Sequence, residues 1–218
     1  DHPLHQFLTE AAQQQGDAVA TITSARLPLA GRVKATLDYR TLNAMSDALA
    51  AALVDFGLRK GDRVAIIMPN CAQFVIAFFG ILKAGGVVVA LNPTYPPRRL
   101  QEQLVDSGAR AAIVLSLFYN NLKQIQAETP VEHVIVTNIK EYLPGAARFL
   151  FGVAKEKKEG HRIEKQPADH WLQDILSRYA GKRPDVNVTG DDLAICQYTG
   201  GTTGIPQAAM STHAALVA

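Results

Sequence analysis

The chain has 218 residues, 48% of them hydrophobic and 19% charged, which suits a folded chain of one or two domains with a sizeable core. Its net charge of +2 excludes a large polyanion such as nucleic acid as the implied partner. Cys71 and Cys196 lie far apart with no CxxC partner, which excludes a disulfide or zinc framework and fits a reducing, cytoplasmic compartment. No apolar run reaches membrane-spanning length, because Phe74 to Ala90 is broken by Gly80, Lys83, Gly85 and Gly86. Asp1 to Gln6 has neither the basic start nor the apolar stretch of a signal peptide.

In chain order, Thr41 is expected to cap a helix whose apolar positions Leu42, Met45, Leu49, Leu53 and Phe56 recur at helical spacing, with Gly57 ending it. Val64 to Met68 reads as a buried strand, and Asn70 as the cap of a helix over 71–84. Gly86 to Leu91 reads as a strand, Pro96 to Ser107 as a helix and Ala111 to Leu115 as a strand. Phe118 to Glu128 reads as a helix and Val131 to Val136 as a strand. Apolar strands alternating with helices predict an α/β fold, a parallel sheet flanked by helices, with ligands at the carboxyl ends of the strands.

The alternation breaks between Asn138 and Val188. Leu143, Ala147, Leu150, Phe151 and Ala154 form a helical apolar stripe, followed by a charged stretch over 155–165. Between Lys140 and Lys165, seven Lys/Arg stand against four Glu, an excess of +3 that concentrates the basic character here. Residues 143–165 could rest on an anionic membrane. A helix packed on the sheet with a solvated charged tail is the simpler and favoured reading. A second helix, 170–179, carries Trp171, which reads as a packing anchor.

Leu193 to Tyr198 predicts a further strand, and it runs into Thr199, Gly200, Gly201, Thr202, Thr203, Gly204, Ile205, Pro206 and Gln207. Three glycines and three threonines in nine positions bring hydroxyls and exposed backbone N–H groups together, the groups that wrap phosphate oxygens. The spacing is neither GxxxxGK[ST] nor GxGxxG. On spacing alone, a simple turn explains the loop equally well. His213 just beyond could approach a nucleotide or acyl group, or could start a helix. Cys196 reads as a buried structural thiol, and His133, His161 and His170 lack ligand-spaced partners, so no metal site is expected.

The stretch from Gln197 to Pro206 resembles the YT[SG]GTTGxPKG signature of AMP-forming adenylating enzymes, the family of acyl-CoA synthetases, luciferases and peptide-synthetase adenylation domains. Gly61-Asp62-Arg63-Val64 through Pro69-Asn70 resembles that family's GDRVAI…PN segment, and Leu82 to Gly86 through Leu91-Asn92-Pro93 its LKAGG…PLNP segment. The likeness covers nearly the whole chain, with Asn138 to Val188 matched loosely. Gly200 and the long insertion are most similar to bacterial long-chain fatty-acid–CoA ligases.

The resemblance implies that a carboxylic acid is activated with ATP to acyl-AMP and passed to coenzyme A, with a medium- or long-chain fatty acid as substrate. It implies ATP-phosphate contacts from Thr199, Gly200, Gly201, Thr202, Thr203, Gly204 and Gln207, with Tyr198 and His213 as further candidates. Gln207 and Ala208 stand where the family usually has Lys and Gly, so the loop lacks a positive charge. The adenine motif, the Mg²⁺-binding Glu and the lid with its catalytic Lys are expected past Ala218. With those parts beyond it, the chain is expected to be an amino-terminal fragment in which no catalytic residue is assigned, inactive alone; it also begins without methionine, so it is expected to be trimmed at the front as well. Its parts would be an α/β subdomain over 1–137, an insertion over 138–188, and a strand and loop over 189–218 opening a second subdomain. A homodimer is one allowed assembly. The rivals are a fatty-acyl-AMP ligase feeding a carrier protein and a non-catalytic nucleotide-binding relative.

Overall fold

The computed structural model describes residues 2–27, 31–154, 156–199 and 207–218. Lys155 of the basic run and Gly200 to Pro206 of the loop lie outside them. Helix α1 (His5–Gln14) leads into an antiparallel hairpin, β1 (Val19–Leu27) and β2 (Gly31–Asp38). Then follow α2 (Tyr39–Asp55), β3 (Arg63–Ile67), α3 (Ala72–Lys83), β4 (Val87–Leu91), α4 (Pro97–Ser107), β5 (Ala111–Leu115), α5 (Ser116–Ile125) and β6 (His133–Thr137). The chain continues through α6 (Gly145–Ala154), β7 (His170–Trp171), α7 (Leu172–Arg178), β8 (Leu193–Tyr198), β9 (Ala208–Thr212) and α8 (His213–Val217).

Seven strands form one sheet in the order β7-β6-β5-β3-β4-β8-β9, parallel throughout except for β9, which runs antiparallel to β8 at the edge. The expected α/β architecture is therefore present, and alternation along the strands explains its two covered faces. Val64, Ile66, Val88, Ile113 and Ile135 pack under α1, α2, α3 and α7. Ala65, Ile67, Val89, Val114, Val136 and Cys196 pack under α4 and α5. A strand buried on both faces must be apolar at every position, which is why these strands read as unbroken hydrophobic runs.

Two caps differ from expectation. Helix α2 starts earlier: the Asp38 carboxylate accepts from the Thr41 backbone N–H at 2.6 Å, so Thr41 is the capped residue and Asp38 the cap. Helix α3 starts at Ala72 with Cys71 in the cap position and no side-chain cap bond, so Asn70 lies one residue outside. Where a helix was expected from His170, the first two residues instead pair with β6, and α7 begins at Leu172. Ala147 and Phe151 of α6, with Leu143 just before it, are buried against Val33 of β2, while Leu150 of the expected stripe is 45% exposed and Phe149 is 71% exposed. No described helix is long and apolar enough to cross a membrane.

Candidate functional site

Strand β8 lies beside β4 with its carboxyl end at the same edge of the sheet as the carboxyl ends of β3, β4, β5 and β6. Its parallel pairing with β4 runs through Val88↔Ile195, Val89↔Cys196 and Ala90↔Gln197 and goes no further. Beyond that point only β9 holds it, through Gln197↔Ala209 and Tyr198↔Ala208. The loop stem is closed by Thr199, whose backbone N–H and hydroxyl both donate to the Gln207 carbonyl, at 3.0 and 3.4 Å. Thr199 and Gln207, expected to work together on phosphate, are thus adjacent, and both are exposed. Gly200, Gly201, Thr202, Thr203 and Gly204 lie outside the described residues.

Tyr198 is half-buried against the α4/α5 face. Its hydroxyl donates to the Asp106 carboxylate at 2.6 Å and also lies 3.1 Å from the Gln103 carbonyl, both in α4. Burial raises the phenol above its ordinary range, and the neighbouring Asp106 carboxylate adds to the shift, so the hydroxyl stays protonated as a donor.

His213 is fully buried at the start of α8. Its Nδ1 accepts from the Leu4 backbone N–H at 3.0 Å, its backbone N–H donates to the Asp192 carbonyl at 3.0 Å, and its ring meets His5 edge-on at 6.0 Å. Burial lowers the pKa of both rings, that of His5 to about 4 with help from His213 and Lys83. His213 is the first residue of α8, whose cap is the Thr212 hydroxyl, accepting from the Ala215 backbone N–H.

The remaining candidates are packed. Cys196 is 8% exposed, and burial raises its thiol. His161 bonds Ser116 at 3.0 Å, and His133 and His170 stack on Phe56 at 5.4 and 4.5 Å. Among the described residues, no group of three or more His, Cys, Asp or Glu could hold a metal ion. Sequence reasoning missed Asp106, Gln103 and the α1 start. Asp106 and Gln103 touch the loop stem from 92 and 95 positions away, the α1 start touches the far end of β9 from 209, and no local pattern signals such contacts.

A mostly parallel sheet with helices on both faces, and a glycine/threonine loop joining β8 to an antiparallel edge strand, is the architecture of the N-terminal domain of adenylate-forming enzymes. Residues 8–218 match the AMP-binding enzyme family, and the chain belongs to it. It is 40% identical over 185 residues to a long-chain-fatty-acid–CoA ligase of Salmonella typhimurium, covering 84% of this chain and 33% of that protein. It is 43% identical over 188 residues to one from Haemophilus influenzae, covering 83% and 33%. The chain thus spans about a third of the length of these curated relatives. Among solved structures, a long-chain-fatty-acid–CoA ligase from Archaeoglobus fulgidus superposes with a TM-score of 0.72 at 24% identity, over 97% of this chain and 37% of that one. The apo structure of MbtA from Mycobacterium smegmatis superposes at 0.73 with 26% identity, over 98% and 34%.

Proposed function

We propose that the full-length protein joins a medium- or long-chain fatty acid to coenzyme A through an acyl-AMP intermediate. The observation that carries this reading is the loop at the carboxyl end of β8, clamped at its base by Thr199 and Gln207, in a chain 40–43% identical to proteins named long-chain-fatty-acid–CoA ligases. In the first step a carboxylate oxygen of the acid bonds to the α-phosphorus of ATP as the bond to pyrophosphate breaks. In the second, the coenzyme A thiolate attacks the acyl carbon and AMP leaves.

The protein's task in the first step is to hold the triphosphate in line and to meet the charge that develops on the leaving pyrophosphate. The hydroxyls of Thr199, Thr202 and Thr203 would donate to the β- and γ-phosphates, and Gly200, Gly201 and Gly204 would let the backbone N–H groups approach. Gln207 would add a neutral donor. Mg²⁺, when bound, would offset phosphate charge; in this reading its ligand, the lid and the rest of the acyl pocket lie past Ala218, and this chain alone does not turn over. Residues 1–137 would form the first subdomain, 138–188 an insertion, and 189–218 the entry to the second subdomain. Exposed Phe149 and Leu150, beside the basic residues Arg148, Lys157, Lys158 and Arg162, support peripheral contact with an anionic membrane through 143–165.

The test is pyrophosphate release by the full-length protein with ATP and Mg²⁺ against acids from C2 to C18, with and without coenzyme A. Release that depends on a C8–C18 acid, with thioester formed when coenzyme A is present, is the expected result. Release without thioester would replace the reading with an acyl-AMP ligase. The neutral Gln207 favours a second reading, a nucleotide-binding relative without turnover. ATP binding with no release for any acid would select it.

A further inference from the structure

We propose that Tyr198 is a positioning residue for the loop: its phenol, bonded to Asp106 and to the Gln103 carbonyl, fastens the β8 side of the stem to α4 and so sets where the loop presents its donors. This inference rests on the reading of the loop as an ATP-phosphate site.

The argument begins with the end of the sheet. The parallel ladder from β4 stops at Gln197, one residue before Tyr198, so among the described residues the backbone of Tyr198 pairs with Ala208 of β9 and that of Thr199 with the Gln207 carbonyl, without a partner from β4. Strand alternation places Tyr198 on the same face as Cys196, over α4, one residue from the stem bonds of Thr199. There its hydroxyl meets a carboxylate at 2.6 Å, a short charge-assisted bond of the strong class. Asp106 lies in the last turn of α4, where the helix dipole disfavours an anion and a donor from outside is most useful. The single phenolic proton is engaged in α4, so Tyr198 cannot donate to a phosphate without releasing the stem. Asp106 is itself exposed, so it can be altered with little risk to folding.

The experiment compares Tyr198→Phe, Asp106→Ala and the double variant in the full-length protein. Tyr179→Phe serves as a matched control, because that phenol bonds the Asp55 carboxylate on the opposite face of the sheet. Two readouts are taken: acid-dependent pyrophosphate release, and amide hydrogen exchange of the peptide spanning 198–208. Each single variant is expected to lower kcat about tenfold with the KM of the acid unchanged, as loosened alignment does. The double variant should be no worse than either single, because both remove one bond. Exchange at the stem should quicken in all three variants and not in the control.

Wild-type kcat and wild-type exchange in both single variants would overturn the proposal. So would losses that add in the double variant, or a Tyr198→Phe effect confined to the KM of ATP, which would make Tyr198 a phosphate ligand. If the wild-type protein releases no pyrophosphate with any acid, the functional reading fails separately. The exchange data then decide the tether alone, and an unchanged stem refutes it.

Discussion

Asp47→Asn removes the charged partner of a buried lysine and is expected to destabilise the chain strongly. Lys83, at the end of α3, has a side chain 4% exposed, and its ammonium lies 2.7 Å from the Asp47 carboxylate of α2, itself 12% exposed. It also reaches the Asn43 side-chain oxygen at 2.6 Å and the Asn43 carbonyl at 3.3 Å. Burial lowers the pKa of Lys83 despite the raising effect of Asp47, so the cation is held at a desolvation cost that its partner only partly offsets. Removing one member of a buried pair costs about 3–5 kcal/mol because the other charge stays behind. With the two Asn43 oxygens still in place, we expect the low end, about 3 kcal/mol. The Arg183 contact with Asp47 adds little, since Arg183 is 73% exposed. For a chain of this size the loss corresponds to a fall in Tm of roughly 6–12 °C.

The assay is urea and thermal unfolding of Asp47→Asn, Lys83→Met and the Asp47→Leu/Lys83→Met pair, with the pair expected to recover most of the loss. The sign of the pH dependence is a further check. The unfolded state holds its Lys83 proton up to about pH 10, above the lowered folded value. Stability should therefore rise as pH climbs through that interval, more steeply in Asp47→Asn than in wild type. A cost below about 1 kcal/mol, with no added slope on the alkaline side, would refute the claim that this pair is desolvated and coupled.

Three further outcomes follow from the same packing. A Cβ on Gly80 would stand 2.8, 3.0 and 3.1 Å from the Cδ2, Cγ and Cβ atoms of Leu49, which is fully buried and cannot swing aside. Gly80→Ala should cost about 1–2 kcal/mol in urea unfolding even after its helix-propensity gain, and a stabilised variant would show that α2 and α3 are not so closely packed. His5 has a folded pKa of about 4, below its unfolded value, so its contribution is complete above about pH 6.5 and is lost as pH falls toward 4. About 2 kcal/mol should disappear between pH 7 and 4.5, and His5→Asn should flatten that limb. In the full-length protein, Gln207→Lys restores a charge without touching the stem, whose bonds use the Gln207 carbonyl, and should raise the rate of pyrophosphate release about tenfold. An unchanged kcat and an unchanged KM for ATP would argue that the loop does not handle the nucleotide.

The central sheet was legible because β3, β4, β5 and β6 are buried on both faces and are apolar along most of their length. Their boundaries were read to within about two residues, and β5 and β8 without error. The hairpin β1–β2 went unread although its signal was present: Val33, Ala35 and Leu37 are partly buried and alternate with exposed Arg32, Lys34 and Thr36. The caps failed for a different reason. Asp38 and Thr41 are both good capping residues three positions apart, and only the backbone geometry shows which accepts and which donates. Strand β7 escaped because two residues carry no period, and its place is set by pairing with β6.

The loop's glycine/threonine pattern was legible and its support was not, and the reason is physical. Phosphate binding needs glycines and hydroxyls close together, so it leaves a dense local pattern. Support needs only that one distant group lie in the right place. Tyr198 joins the stem to α4 on one face of the sheet, and His213, through Leu4, joins the far end of β9 to the start of α1, which packs on the other face. Each anchor is one side chain hydrogen-bonded at an end of the β8–β9 hairpin. Because the two lie on opposite faces, the β8–β9 hairpin is tied to helices on both sides of the sheet, α4 at its loop end and α1 at its far end.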